Sequence, residues 1–165
     1  MKVIFLDVDG VLNSEQFYRK RGHPDYRFED EPPYPVCEFD PKAVDLLNQL
    51  IKDTESKLVI SSTWRIGRTL EELQKLCDVT GIVGEVIGRT GSLNSKEERQ
   101  SCGKFVRGTE IKNWLDESKK PIEKYIIIDD DNDMLPEQQE NFIKTSFWTG
   151  LTIEGVLNGI KILNK

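Results

Sequence analysis

The sequence predicts an α/β fold in which a doubly wound parallel sheet is flanked by helices. Three short apolar runs rich in β-branched residues are typical of strands buried on both faces, and they are Val3–Leu6, Leu58–Ile60 and Tyr125–Ile128. Segments with apolar residues at helical spacing lie between and after these runs, and strands that alternate with helices indicate a parallel sheet. The length of 165 residues suits one domain, which we expect to span residues 1–165.

Capping residues and apolar periodicity predict the helices. The first begins at Asp40 and Pro41, because aspartate is a preferred N-cap and proline fits the first helical position. The second covers residues 70–77, and the third begins near Thr109. The last begins after Thr152, whose hydroxyl can accept a hydrogen bond from the first helical turn.

Two segments depart from this alternation of strands and helices. Residues 13–39 are polar, aromatic and rich in proline, and we interpret them as an irregular, flap-like insertion after the first strand. Residues 88–104 are rich in glycine, serine and charge and are predicted to form a surface loop.

The composition excludes several classes of function. Lysine and arginine total 23 against 29 aspartates and glutamates, and a net charge of −6 does not suit broad, sequence-independent duplex binding. A single histidine, His23, excludes a histidine-rich zinc site. Cys37, Cys77 and Cys102 form no CxxC pair, which favours a reducing compartment. Since no apolar run fits a signal peptide or a bilayer span, we expect a cytoplasmic protein that contacts no membrane.

Polar clusters directly follow the three predicted strands: Asp7–Gly10, Ser61–Arg65 and Asp129–Asp133. The carboxyl ends of parallel strands share one edge of a sheet, where ligands bind. Several carboxylates brought together there are unfavourable unless a cation lies among them. Because the available ligands are oxygens, Mg²⁺ is the expected cation.

This arrangement of side chains suits phosphoryl transfer. A carboxylate can attack phosphorus and form an aspartyl-phosphate, which divides a difficult hydrolysis into two easier steps. A second carboxylate two residues further on can protonate the leaving oxygen and then activate water. A divalent cation, a hydroxyl group and a cationic side chain would stabilise the transferring group.

The segment DVDGVLN at residues 7–13 resembles the first motif of the haloacid dehalogenase (HAD) superfamily. VISS at residues 59–62 and IIIDDDND at residues 126–133 resemble the second and fourth motifs, in the same order. SSTWR, RGTEIKNWL and the terminal GLT-helix resemble the compact HAD domains of RNA-repair-type proteins. The resemblance covers nearly the whole chain and implies a Rossmann-like sheet without a large cap, and a Mg²⁺-dependent phosphatase.

The resemblance also implies roles for individual residues. Asp7 would be the nucleophile and a metal ligand, and Asp9 would be the general acid and base, with its backbone carbonyl on Mg²⁺. Ser61 would hydrogen-bond the phosphoryl oxygens, with Ser62 as an alternate, and Gly10 would lie against the bound phosphate.

The fourth motif supplies further metal ligands. Asp130 is the expected ligand, supported by Asp129, and either of the two can make the direct contact. Asp133 could contribute through water.

The third motif departs from the family pattern, which usually places lysine there. This chain offers Arg107 just before the predicted third helix, and its planar fork can clamp a phosphate. Lys104 and Lys112 are the alternatives for that cation. Arg65 and Lys104 are also candidates to bind phosphate, although Arg65 can instead brace the site through an ion pair.

The sequence therefore predicts a Mg²⁺-dependent phosphatase acting through an aspartyl-phosphate on an undefined phosphorylated substrate. Because residues 13–39 make only a flap, an open site would suit a phosphate on a macromolecule. Phe17–Arg21 interleaves aromatic and basic residues, either as part of a solvated loop or to bind a nucleotide or nucleic-acid end. A non-catalytic phosphate-binding module is the other alternative. Trp64, Trp114 and Trp148 are assigned to packing.

Overall fold

A computed structural model of the chain describes residues 1–21, 39–93 and 95–165. Strands and helices alternate along these residues. The strands are β1 (Lys2–Leu6), β2 (Lys57–Ile60), β3 (Val86–Arg89), β4 (Lys124–Asp129) and β5 (Phe142–Lys144). The α-helices are α1 (Glu15–Lys20), α2 (Pro41–Thr54), α3 (Leu70–Val79), α4 (Lys96–Cys102), α5 (Val106–Glu117) and α6 (Ile153–Leu163). Two 3₁₀ segments cover Thr63–Arg65 and Pro136–Asn141.

The strands form one parallel sheet in the order β3-β2-β1-β4-β5. Leu6, the last residue of β1, pairs with Ile60 on one side and with Ile128 on the other. The three strands therefore end at the same edge, and the residues that follow them are neighbours. The predicted α/β fold with a doubly wound parallel sheet is confirmed.

Helices cover both faces of this sheet. Ile4 and Leu6 of β1 point into a core formed with α2, α3 and α6. Val3 and Phe5, which alternate with them, point into a second core beneath α5. There Phe5 meets Trp114 edge to face, with ring centroids 5.3 Å apart, which confirms the packing role predicted for Trp114.

The predicted helix starts at Asp40 and Thr152 are confirmed. The Asp40 carboxylate accepts a hydrogen bond from the Lys42 backbone N–H at 3.0 Å, and the Thr152 hydroxyl accepts one from the Gly155 N–H at 3.2 Å. Helix α3 begins at Leu70 as predicted and ends two residues later than predicted, at Val79. None of the helices in the described residues is long and apolar enough to cross a membrane.

The surface loop predicted over residues 88–104 is wrong in part, because that segment contains the end of β3 and the whole of α4. Strand β3 is only four residues long and includes Gly88, where a β-carbon would lie 2.8 Å from Nε1 of Trp114. Helix α4 buries no side chain and depends on a capping box formed by Ser95 and Glu98. Neither element carries the apolar pattern that would reveal it.

The prediction that residues 13–39 are irregular is also wrong in part. Ser14 caps the short helix α1 by accepting a hydrogen bond from the Phe17 N–H at 3.2 Å. Residues 22–38, which include His23 and Cys37, lie outside the described residues. Trp148, which was assigned to packing, is 46% exposed.

Candidate active site

Three carboxylates meet at the edge of the sheet where β1 and β4 end. Asp7 follows β1, Asp129 is the last residue of β4, and Asp130 comes next in the chain. One oxygen of each lies within 4.8 Å of the others. Asp7 and Asp129 are buried, with exposed fractions of 7% and 1%. We call these three residues the acid cluster.

Gly10 allows Asp130 to approach the first motif. Its φ of +70° lies in the left-handed region, and a β-carbon at this position would overlap the carboxylate carbon and Oδ2 of Asp130. The loop is fixed because the Gly10 N–H donates to Asn13 Oδ1 at 3.0 Å and its carbonyl accepts from the Thr145 hydroxyl at 2.8 Å. The glycine is thus required by the shape of the acid cluster itself.

Burial raises the pKa of both Asp7 and Asp129 well above the ordinary carboxyl value. Desolvation is the largest cause for each, and the charge of Asp129 raises the pKa of Asp7 further. Arg107 opposes the rise for both residues. The Asp131 N–H, which donates to Asp129 Oδ1 at 2.8 Å, opposes it for Asp129. A cation placed among these oxygens would lower both pKa values.

The acid cluster fits a hard divalent cation. Asp129 Oδ2 is buried and receives no hydrogen bond from the described residues. Its cationic neighbour, Arg107 Nε, lies 3.4 Å away. A buried carboxylate oxygen without a donor is unfavourable unless a cation contacts it. Because all three side chains offer oxygen ligands, the acid cluster suits Mg²⁺ or a similar ion.

The Asp9 carboxylate does not belong to the acid cluster. Its Oδ1 accepts a hydrogen bond from Asn13 Nδ2, and its Oδ2 accepts one from Trp64 Nε1, both at 2.8 Å. Trp64 also packs against Phe39, so the packing predicted for Trp64 is confirmed and a polar role is added. Asp9 is therefore held in one orientation beside the cluster. Sequence analysis missed Asn13 and Trp64 as its partners.

Two buried hydroxyl groups follow β2. Ser61 Oγ is fully buried and has no hydrogen-bond partner among the described residues. Ser62 accepts a hydrogen bond from the Trp64 N–H at 3.3 Å, and its hydrogen bond to Asp7 opposes the rise in the pKa of that carboxyl. The structure thus places both predicted serines at the end of β2, with Ser62 hydrogen-bonded to Asp7 and the Ser61 hydroxyl buried without a partner among the described residues.

Arg107 reaches the acid cluster from the first turn of α5. Its Nε lies 3.4 Å from Asp129 Oδ2, and its Nη2 lies 3.9 Å from Asp7 Oδ1. The Arg107 backbone N–H donates to Asp133 Oδ2 at 2.9 Å, so the loop after β4 caps α5. This cap explains why α5 begins at Val106, three residues before the start predicted near Thr109. Arg107 lies inside the helix rather than just before it.

The other candidate cations are used elsewhere. Lys112 pairs with Asp116 at 2.6 Å on the exposed face of α5, and Lys104 is exposed with its Nζ 5.3 Å from the centre of the Phe105 ring. Arg65 is only 2% exposed. Its guanidinium donates to protein oxygens, among them Glu110 Oε2 at 2.8 Å. The structure therefore favours a bracing role for Arg65 over contact with phosphate.

Comparison with known proteins identifies the family. Residues 3–156 match the family described as the HAD domain in Swiss Army Knife RNA repair proteins. Searches of curated proteins and of solved structures found no match. Because the family match covers most of the chain, the chain belongs to this HAD family. Membership supports, at a general level, a hydrolase of the phosphohydrolase type.

The role of Gly10 leads to a first prediction. Gly10→Ala should weaken Mg²⁺ binding by about 10-fold or more, since displacement of an oriented ligand typically costs that much. A left-handed alanine should also lower the free energy of unfolding by about 1 kcal/mol. Titration calorimetry with Mg²⁺ and urea unfolding measure the two effects. Gly67→Ala is the matched control, because Gly67 also has a left-handed φ, of +74°, and a β-carbon there meets no atom within 4 Å. Unchanged Mg²⁺ affinity in Gly10→Ala would contradict this role.

The raised pKa values lead to a second prediction. In the folded metal-free protein, Asp7 and Asp129 hold their protons more tightly than in the unfolded chain. Their stabilising contribution is therefore complete below the unfolded pKa of about 3.9 and is lost as the pH rises through the folded values. Mg²⁺ should stabilise the protein more at pH 8 than at pH 5.5, because at the lower pH it must displace protons. Urea midpoints with and without Mg²⁺ test this, and an equal gain at both pH values would disprove it.

Proposed function

We propose that this HAD-family chain is a Mg²⁺-dependent phosphohydrolase that acts through an aspartyl-phosphate on Asp7. The observation that carries the proposal is the position of Asp7, which lies in the acid cluster with its Oδ1 3.9 Å from Arg107 Nη2. A carboxylate that attacks phosphorus needs positive charge on both sides of the incoming anion. Arg107 supplies one charge, and a cation in the acid cluster would supply the other.

Asp7, Asp129 and Asp130 would hold the metal. When bound, Mg²⁺ would neutralise the carboxylates and the phosphoryl oxygens and so lower the barrier to attack by an anion. Side chains of the protein would bind the phosphoryl oxygens, attack phosphorus and transfer the proton. Arg107, whose Nη2 lies 3.9 Å from Asp7 Oδ1, would bind the phosphoryl oxygens. The Ser61 hydroxyl, which has no hydrogen-bond partner among the described residues, is proposed as a second donor to them.

In the first step, an Asp7 carboxylate oxygen attacks phosphorus. The bond between phosphorus and the leaving oxygen breaks, and the phosphoryl group is transferred to Asp7. Asp9 gives its proton to the leaving oxygen, which departs as an alcohol. Asn13 and Trp64 hold the Asp9 carboxylate by both oxygens, which limits the orientations from which it can deliver a proton.

In the second step, water attacks the phosphorus of the aspartyl-phosphate. Asp9, now a carboxylate, accepts the proton from that water. The bond between phosphorus and the Asp7 oxygen breaks, inorganic phosphate is released, and the Asp7 carboxylate is restored. A binding module would require neither the nucleophile nor the proton carrier, so the presence of both Asp7 and Asp9 favours the enzyme over a non-catalytic alternative.

The third prediction concerns Asp7. Asp7→Asn should reduce Mg²⁺-dependent phosphate release from an aryl phosphate on the order of 10³-fold or more, because an amide cannot replace the nucleophile. Asp131→Asn is the matched control, since it removes one exposed carboxylate with the same change of charge. Steady-state phosphate release with and without Mg²⁺ measures the effect. Near-normal, Mg²⁺-dependent turnover by Asp7→Asn would exclude Asp7 as the nucleophile.

We propose a nucleic-acid end as the second candidate for the substrate. The family description names RNA repair. Two aromatic and two basic residues cluster where α1 meets the loop after β5, although Arg19 is also paired with Glu15. Arg19 lies over the Trp148 ring at 5.4 Å, and Arg21 lies over the Phe17 ring at 5.6 Å. We call these four residues the α1 surface. Alternating rings and guanidinium groups suit single-stranded nucleic acid, whose bases stack and whose backbone is anionic.

The α1 surface is joined directly to the candidate active site. The Gln16 N–H donates to the Trp148 carbonyl at 3.1 Å, and the Leu151 N–H donates to the Val11 carbonyl at 2.9 Å. Val11 belongs to the loop that carries Asp9. We propose that a strand stacked on the α1 surface extends its terminal phosphate towards the acid cluster.

The fourth prediction tests this substrate class. Trp148→Ala should lower the ratio of kcat/KM for a short phosphorylated single-stranded RNA to kcat/KM for an aryl phosphate by roughly 10-fold, as expected for loss of one stacked base. Leu157→Ala, which truncates another exposed apolar residue, is the control and should leave the ratio unchanged. An unchanged ratio in Trp148→Ala would argue against the α1 surface as a nucleic-acid platform.

A further inference from the structure

Glu110, Arg65 and Arg107 form an ion triad beside the acid cluster, and only Arg107 has a part in the steps above. Glu110 of α5 is only 5% exposed. Its Oε2 accepts hydrogen bonds from Arg65 Nη2 at 2.8 Å and from Arg107 Nη1 at 3.2 Å. Its Oε1 accepts one from the Leu93 N–H at 3.1 Å. A single carboxylate thus joins two arginines and the loop that follows β3.

Arg65 anchors this triad to the edge of the sheet. Its guanidinium donates to four backbone carbonyls at 2.8–2.9 Å, two that follow β2 and two that follow β3. These are the carbonyls of Ser61, Ser62, Thr90 and Gly91. Because four of its hydrogen bonds are directed to backbone carbonyls, Arg65 cannot move without disrupting both strand ends. Glu110 therefore has a rigid partner on one side.

Arg107 is the partner with freedom to move. Its side chain is 14% exposed, and its guanidinium has contacts on two sides. Nη1 donates to Glu110, and Nε lies 3.4 Å from Asp129 Oδ2. Because the guanidinium is planar, these two contacts determine where Nη2 points. Nη2 lies 3.9 Å from Asp7 Oδ1, which is beyond hydrogen-bond distance and leaves its donors for a phosphoryl oxygen.

We infer that Glu110 is a positioning residue that holds Arg107 in the orientation in which Nη2 faces a phosphoryl group at Asp7. This inference rests on the proposed function, because it assigns Arg107 to phosphate. Glu110 itself touches neither substrate nor metal. It acts through Arg107, and it uses Arg65 as the fixed support.

Electrostatics explains why a carboxylate is needed at this position. Arg107 and Arg65 lie close enough that the charge of Arg107 lowers the pKa of Arg65, while Glu110 raises it. Without the negative charge, two guanidinium groups would face each other in a largely buried site. An amide at residue 110 would have one acceptor oxygen, so its NH2 group would face either the two arginines or the Leu93 N–H, and none of these can accept its hydrogens. Arg107 is expected to turn away, since Arg65 cannot.

The experiment is a double-mutant cycle on phosphate binding. Inorganic phosphate is titrated in the presence of Mg²⁺ into the wild type, Glu110→Gln, Arg107→Ala and the double variant. Glu110→Gln should weaken phosphate binding by about 10-fold, typical of the loss of a residue that orients a ligand-binding group. In the Arg107→Ala background the same change should alter the Kd for phosphate by less than about twofold, because the residue it acts through is gone. Mg²⁺ affinity should not fall.

Two results would overturn the inference. Glu110→Gln could weaken phosphate binding equally in both backgrounds, or it could weaken Mg²⁺ and phosphate binding in parallel, and either would show a general structural role. Glu110→Asp retains the buried charge but is one methylene shorter. It takes the place of Glu110→Gln if that variant does not fold, and the same non-additivity is expected.

The cycle also separates this inference from the proposed function. If the cycle shows the expected non-additivity but the wild type releases no phosphate from any phosphate ester, the role of Glu110 is supported and the phosphohydrolase activity is contradicted. If the wild type hydrolyses phosphate esters but the effects of the two substitutions on phosphate binding are additive, the phosphohydrolase activity is supported and the role of Glu110 is contradicted. Failure of the wild type to bind phosphate in the presence of Mg²⁺ would overturn both.

Discussion

The electrostatic repulsion within the acid cluster is the constraint on which the rest of the site depends. Asp7 and Asp129 are buried within 4.8 Å of each other and of Asp130, so each negative charge costs desolvation energy and repels the others. The surrounding residues reduce this cost from two directions, through the guanidinium of Arg107 and the N–H of Asp131. A divalent cation would complete the compensation. The unfavourable charge is thus what would favour a metal ion at this site.

The fold places each group of the site through strand register, a glycine and a chain of side-chain contacts. Register along β1 sets Asp7 beside the end of β4, and Gly10 allows the Asp130 carboxylate to come close. Arg107 is placed by the cap from Asp133 and by Glu110, which in turn is held against Arg65. The reactive groups therefore lie on rigid supports, and little reorganisation would be needed when an anion binds.

The features that the sequence predicts correctly are those set by residues close together in the chain. Strand runs followed by acidic residues were enough to infer a parallel sheet and a carboxylate cluster at its edge, because parallel strands always share that edge. Strand β3 and α4 were missed, since a strand containing glycine and an exposed helix show no apolar period. The contact of Asp9 with Trp64 and that of Arg65 with Glu110 were missed for another reason. Trp64 and Asp9 are 55 residues apart, as Arg65 and Glu110 are 45 apart, and only the folded chain joins such pairs.

A crystal structure with Mg²⁺ and beryllofluoride, a mimic of a phosphoryl group on aspartate, tests the central claim most directly. The account predicts beryllium bonded to an Asp7 carboxylate oxygen and Mg²⁺ coordinated by the acid cluster. It also predicts that Arg107 Nη2 donates to a fluoride. Beryllofluoride bound away from Asp7, or Mg²⁺ bound outside the acid cluster, would contradict it.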